Sequence, residues 1–464
     1  MYPMSTWKPD LTRHAGPRYR AIADALSTDI ETGRLPRGAR LPTHRELAYQ
    51  LRMTVGTITR AYAEAEKRGL IGGEVGRGTF VRERPDPTPL GTLPDGVIDL
   101  SVNVPRGQGG GEAAALAATL IQIAQDADLD ALTGYQPHLG MPEHRAALAA
   151  LIARPGVDTP ADRIVLTAGA QHAIMTALSA IVAPGDTVAC ESVTFGGLKA
   201  AARLMHLRVK GIAMDEGGLN PDAFEAACRE GTIKALYVVP TLQNPTGITW
   251  TDERRDAICA IAERYGVSIL EDDVYGFLVP EAPMPLVARL PNQVFHLTST
   301  SKSLAPGLRI GCLLAPREAA ARLATGIRTT IWMAPPLMAE VVRRWVDDGT
   351  ALRLMADKRI EGARRQAAAR AALMEYGVEA APTHPSSFHI WIPLPEPRHD
   401  MELVAAARRE GVLIAGTTSF ATGRVLAEGI RLSLGTPATM EEVARGARIV
   451  GRLLSGGDSY DDVI

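Results

Sequence analysis

Little in this chain points toward membranes, metals or an oxidising compartment. Among its 464 residues there are only four cysteines, Cys190, Cys228, Cys259 and Cys312, and none has metal-ligand or redox spacing. They read as small buried hydrophobes in a reducing cytosol, so no disulfide framework and no metal site is expected. No apolar run approaches the ~20 residues that cross a bilayer. The first twenty residues carry charges and prolines and no apolar stretch of the signal-peptide kind, so a cytoplasmic protein is expected. What is present is length, with a hydrophobic fraction of 46%. That is a globular composition on a chain too long for one core, so two or three domains are expected.

Net charge is only −2, but it is unevenly spread. Residues 13–82 hold 13 Lys and Arg against 7 Asp and Glu, or +6, which leaves −8 for the remainder. A basic head on an acidic body suggests that the head meets a polyanion. Within it, Pro17 opens a helical pattern carrying Ile22, Leu26 and Ile30. Thr43-His44-Arg45-Glu46 reads as a capping box. Thr54 can cap a third helix whose inner face is Ile58, Ala61, Tyr62 and Ala65 and whose first turn offers Thr57 and Thr59 outward. Leu70-Ile71 and Gly76-Arg77-Gly78-Thr79-Phe80-Val81 make a ribbon with a glycine tip. Three helices and a ribbon predict a winged helix-turn-helix, with the third helix in the major groove of double-stranded DNA. Arg45, Thr54, Thr57, Thr59, Arg60 and Arg77 are the candidate DNA-binding residues. These motifs, with Leu41-Pro42 and Thr57-Ile58-Thr59-Arg60-Ala61-Tyr62, resemble the GntR-type DNA-binding domain. Relatives often have arginine where this chain has Val55, which removes one phosphate or base contact. Prolines 85, 87, 89 and 94 then predict a semi-rigid linker over 83–96, on the order of 40 Å if extended.

From residue 97 onward, short apolar runs alternate with amphipathic helical stretches. Strands are expected at Ile164–Leu166, Val188–Cys190, Ala235–Val239, Val267–Leu270, Val294–Leu297 and Ile310–Leu314. This predicts an α/β body with a mostly parallel sheet covered on both faces and ligands at strand ends. A smaller C-terminal α+β domain, roughly 352–454, has strands near Phe388–Ile392 and Ile430–Leu434.

The strand ends hold the chemistry. In Thr298-Ser299-Thr300-Ser301-Lys302 the amine follows small hydroxyls and stands seven positions before Arg309. That combination suits a phosphate ester whose carbonyl the amine captures as a Schiff base, the way proteins hold pyridoxal 5'-phosphate (PLP). Gly169-Ala170-Gln171 opens a helix after a strand, an anion-binding arrangement that by itself often merely connects elements. His172 reads as a packing residue. Asn244, before Pro245, can donate to a phenolate oxygen. Asp272 or Asp273 can keep a pyridine nitrogen protonated, Tyr275 can reach the O3' side, and Phe195 can stack on a flat ring.

Taken in order, these motifs resemble a fold-type I aminotransferase from about Ile98 onward. The resemblance implies Lys302 as the Schiff-base and catalytic lysine and Asp272 as the partner of the pyridine nitrogen. It places Asn244 and Tyr275 at O3', Phe195 on the ring, and Gly169, Ala170, Gln171, Ser299, Ser301 and Arg309 around the phosphate. Tyr135 matches a tyrosine that reaches a phosphate across a dimer interface, and Arg431 an arginine that clamps a substrate carboxylate. Ala170 departs from the serine or threonine of many relatives, which implies weaker PLP retention. Head and body together resemble MocR-type transcriptional regulators. The resemblance implies a homodimer, with or without exchanged heads, that senses an amino-acid-like effector through an aldimine at Lys302 and answers on a DNA operator. A working aminotransferase with a regulatory head, and a sensor of PLP itself, are the alternative readings.

Overall fold

The computed structural model describes residues 7–11, 16–31, 34–35, 39–67, 70–74, 78–81, 94, 96–107, 109, 111–396, 398–423 and 428–456. It divides into two compact units, Met1–Pro94 and Asp95–Ile464.

In the first unit, three helices, α1 (Arg18–Glu31), α2 (His44–Leu51) and α3 (Val55–Lys67), precede an antiparallel ribbon of β1 (Ile71–Glu74) and β2 (Gly78–Val81). The apolar stripes converge as their 3.6-residue period requires: Ile22 and Leu26 from α1, Leu47 from α2, and Ile58 and Tyr62 from α3 share one core. The capping box at α2 is complete, with Thr43 N–H donating to Glu46 Oε2 at 2.8 Å and Glu46 N–H to Thr43 Oγ1 at 3.3 Å. One edge was invisible to periodicity. Leu41 N–H donates to Thr79 O (2.8 Å) and Val81 N–H to Ala39 O (2.9 Å), so residues 39–41 pair with β2. Three residues are too few to display a period. Arg77 and nearly all of the expected linker lie outside the described residues.

The second unit is built on a seven-stranded sheet. Its strands are β3 (Ile164–Thr167), β4 (Thr187–Glu191), β5 (Arg208–Ile212), β6 (Ile233–Val238), β7 (Ser268–Asp272), β8 (Val294–Ser299) and β9 (Gly311–Leu314). They lie in the order β3-β9-β8-β7-β6-β4-β5, with β9 antiparallel to both of its neighbours. Strand β5 was not anticipated. It is Arg-Val-Lys-Gly-Ile at the sheet edge, where charged side chains block further pairing instead of joining a buried run. Helices cover both faces, burying Phe224, Trp250 and Trp345 on one side and Ile174, Leu178 and Leu323 on the other.

A third core lies between the helices Thr350–Met374 and Met440–Ser455 and an antiparallel sheet of β10 (His389–Pro393), β11 (Ala415–Gly416) and β12 (Gly429–Ser433), ordered β10-β12-β11. Ile98–Asp99, from the start of the unit, pairs in parallel with Val412–Leu413, and Ile98 and Leu100 pack into this C-terminal core. The segment Ile98–Asn103 thus ties the smaller lobe to the strand ends of the larger one.

Candidate functional site

Strand β7 sets the polarity of the site. Along a strand, successive side chains face opposite sides. Asp272 therefore points one way, and Glu271 and Asp273 point the other. Asp272 is buried, and its Oδ2 accepts a hydrogen bond from Tyr237 Oη on β6 at 2.6 Å. Burial pushes its carboxyl up to about 6, and the Tyr237 bond acts against that rise. Of the two adjacent acids, Asp272 is the one whose charge acts on the Lys302 amine.

Just beyond β8, Ser299 caps the short helix Thr300–Ser303, accepting from Ser301 N–H at 3.1 Å. Lys302 rides on this turn, and its Nζ donates to the carbonyl oxygen of Asn103. Burial, then the Arg431 charge, depress the amine to about 8, with Asp272 opposing them. An amine so close to neutral is a far better nucleophile at physiological pH than an ordinary lysine.

Arg309 adopts a left-handed backbone (φ 53°). From there its guanidinium donates to Ser301 Oγ at 2.9 Å and to Ala168 O at 3.0 Å. It crosses directly over Gly169, where any Cβ would overlap Arg309 Nη2. Gly169 itself has φ +83° and caps the twelve-residue helix Ala170–Ile181. The start of the helix Ala170–Ile181, the Ser301 hydroxyl and the Arg309 guanidinium therefore meet at Gly169, where the guanidinium takes the space a side chain would need. Ser299 Oγ is engaged with Ile310 O (3.2 Å) and Ser301 Oγ (3.1 Å). Gln171 Nε2 donates to Gly197 O at 3.0 Å, holding the turn that carries Phe195. His172 is tied to Ala168 N–H (3.1 Å) and Thr330 Oγ1 (2.8 Å), in keeping with a packing role.

Arg431, on β12, is buried and has no carboxylate within 4 Å among the described residues. Its Nη1 donates to Asn244 Oδ1 at 2.7 Å, its Nη2 to Ser101 O, and its Nε has no partner. The guanidinium lies 4.8 Å from the Phe420 ring centroid. Burial lowers it to about 10, which is the cost of holding a cation without a counter-ion.

Residues unmarked by any motif complete the cluster. Asn103 Nδ2 donates to Tyr275 Oη (3.0 Å) and faces His389 Nδ1 (3.2 Å), while Asn103 Oδ1 is buried without a partner. Burial pushes His389 down to about 3, so its ring is neutral. Asp99 fixes the turn leading to Asn103 by accepting from Ser101 N–H (2.7 Å) and Ser101 Oγ (2.6 Å). Asn103 stands 172 residues from Tyr275 and 286 from His389, so no spacing in the sequence could have grouped them. Tyr135 stays apart: it is 85% exposed, with its ring 5.6 Å from that of Trp332.

In the head, Arg45 and Arg60 are exposed. Thr54 Oγ1 accepts from Thr57 N–H at 3.2 Å and lies 2.9 Å from Thr57 Oγ1, and Thr59 Oγ1 donates to Val55 O at 3.0 Å.

The fold and site define a winged helix-turn-helix joined to a body of the PLP-dependent fold-type I kind. Residues 95–446 match the aminotransferase class I and II family and residues 18–81 the gntR family of bacterial regulatory proteins, and the chain belongs to both, in the MocR-type arrangement. It is 31% identical to the HTH-type transcriptional regulator YdeF of Bacillus subtilis, over 98% of this chain and 97% of that one. It is 26% identical to the vitamin B6 salvage pathway transcriptional repressor PtsJ of Salmonella typhimurium, over 89% and 94%. Among solved structures, an archaeal alanine:glyoxylate aminotransferase shares the fold (TM-score 0.72, 24% identity, 78% of this chain and 91% of that one). The α-aminoadipate aminotransferase LysN of Thermus thermophilus, solved with N-(5'-phosphopyridoxyl)-L-leucine, superposes with TM-score 0.69 at 25% identity, over 78% and 93%. Among the described residues no helix is long and apolar enough to cross a membrane.

Proposed function

We propose that this protein is a PLP-dependent transcriptional regulator that senses an amino acid or related amine in the body and answers through the DNA-binding head. The observation that carries the reading is Arg431, a buried guanidinium without a carboxylate partner. It donates to Ser101 O, two residues from the Asn103 carbonyl that accepts from Lys302, and its charge helps depress that lysine amine to about 8. A cation held at such cost suits a site whose missing anion arrives with a ligand.

The donor set fits the coenzyme. When bound, PLP supplies an electrophilic carbonyl conjugated to an electron-withdrawing ring. Gly169, Ala170 and Gln171 would offer the start of their helix to the phosphate, and Ser301 and Arg309 a hydroxyl and a guanidinium. Ser299 acts one bond back, by orienting Ser301. Asp272, its ionised form favoured by Tyr237, faces the pyridine nitrogen. Asn244 and Tyr275 serve the phenolic oxygen, and Phe195 covers the ring. Lys302 would offer its neutral amine to the coenzyme's carbonyl and, when free, would hold a proton on Nζ. Arg431 receives the ligand's carboxylate in a bidentate pair. Tyr135 serves the phosphate of a second copy, which makes the working unit a homodimer. Arg45, Thr54, Thr57, Thr59, Arg60 and Arg77 engage the operator DNA.

The test titrates amino acids into the PLP-loaded protein while following coenzyme absorption and binding to the promoter DNA beside its own gene. An amino acid that shifts both, at one shared midpoint, supports the reading. DNA binding unmoved by every amino acid that shifts the absorption sinks it. The depressed Lys302 amine also favours a second reading, an aminotransferase with a regulatory head, because an amine near neutrality can shuttle protons. Steady conversion of an amino acid and a keto acid, lost in Lys302→Ala, would establish that reading.

A further inference from the structure

The other face of β7 borders a separate cavity of ≈360 Å³, behind the Lys302 turn. Ser299, Thr300 and Ser303 line it from behind, and Lys302, Ser301 and Arg309 do not. Because Asp273 follows Asp272 on the pleat, its carboxylate points into this space, with its side chain 12% exposed. Among the described residues no donor bonds its oxygens, and the nearest basic group is the His296 ring, whose Nε2 stands 3.9 Å from Oδ2. His296 Nδ1 is already committed to Glu271 Oε2 at 3.0 Å. Burial raises the Asp273 carboxyl above its usual range, as an acid short of partners requires.

Two arginines line the same cavity. Arg154 uses one nitrogen, Nη2, on the carbonyls of Val279, Pro280 and Ala282 at 3.1–3.3 Å. Arg359 gives Nη1 to Phe277 O at 3.0 Å. Neither has a carboxylate within 4 Å among the described residues, so several N–H groups on each remain to be used. Leu148 and Leu314 supply apolar wall. Two unpaired cations, one undersatisfied carboxylate and an apolar surface in a space of this size are the makings of a ligand site.

We infer that this cavity is a second small-molecule site, distinct from the Lys302 cleft, for a small organic acid. The ligand's carboxylate pairs with Arg154 and Arg359, a hydroxyl or amine donates to Asp273, and an aliphatic body lies on Leu148 and Leu314. A hydroxy acid has no amine to replace Lys302, and Arg431→Gln removes the cleft's partner for its carboxylate, so binding that survives both belongs to this site.

The probe is 2-hydroxy-4-methylpentanoate, titrated calorimetrically into the PLP-loaded full-length protein. Saturable binding with Kd below about 1 mM is expected. It should hold within about twofold in Lys302→Ala and Arg431→Gln, and weaken about tenfold or more in both the isosteric Asp273→Asn and the helix-surface Arg359→Gln. No saturable binding up to about 10 mM overturns the inference. So does unchanged affinity in Asp273→Asn and Arg359→Gln. Because the two substitutions sit on different elements, loss in both is not the unfolding of one. The proposed regulatory function stands or falls separately, since it rests on the Lys302 cleft.

Discussion

At Lys302 the surroundings turn an ordinary base into a reactive amine. Its neutral form becomes abundant as pH rises through about 8, far below the 10.5 of a solvated lysine. The rate at which coenzyme-free protein captures PLP should therefore climb with pH up to about 9 and then level off, in stopped-flow absorption records. A rise continuing to pH 10.5 would contradict the depressed value. Tyr237 offers a second check. Its hydroxyl helps keep Asp272 ionised, so Tyr237→Phe should raise the Asp272 carboxyl further and leave it partly protonated at pH 7. Losing a bond to a charged acceptor is worth ~1.5 kcal/mol, or roughly tenfold weaker PLP retention, measured by dialysis. The sign follows from the shift: a carboxyl with a raised pKa is deprotonated later, so retention should recover as pH increases. Asp272 itself was legible in the sequence as one of two adjacent acids. Strand parity puts the two on opposite faces, and of them only Asp272 acts on the charge of Lys302. Tyr237, inside an apolar run, looked like core.

Turns and caps carry the next scale. Gly169 holds a positive φ and passes beneath Arg309, so Gly169→Ala strains the backbone and displaces the guanidinium together. We expect markedly faster release of PLP and a fold weakened by about 1 kcal/mol or more, with a lower melting midpoint as the readout. In the head, α2 is held by a complete capping box and presents Arg45 to solvent. Arg45→Ala should weaken binding across operator and non-operator sequences alike. It should also reduce the slope of log K against log salt by about one, as removal of a phosphate contact requires. A loss confined to one operator position would instead make Arg45 a base reader. Both elements were visible in the sequence, because caps and glycine turns are local. Strand β5 and the pairing of residues 39–41 were not, since charged or very short edge strands leave no apolar period.

Over the whole molecule, the question is whether ligand capture in one unit reaches DNA held by the other. Allostery of this kind requires a ligand that binds one state better than the other. Arg431→Gln removes the counter-charge for the ligand's carboxylate and leaves the head untouched. It should preserve DNA affinity without amino acid and abolish the shift that the amino acid causes, measured by fluorescence anisotropy of labelled operator. An unchanged shift would show that Arg431 does not receive the effector's carboxylate.

By itself the sequence determined the modular plan. Patterns local in the chain declared a winged head, an α/β body and the strand ends where Lys302 and Asp272 stand, because period, caps and turn residues act within a few positions. Only the tertiary structure brought Asn103 and His389 to Tyr275, joined Ile98–Asp99 to the C-terminal lobe, and left Asp273, Arg154 and Arg359 around a second cavity. Those groupings depend on how distant segments pack, and packing between segments hundreds of residues apart has no period to read.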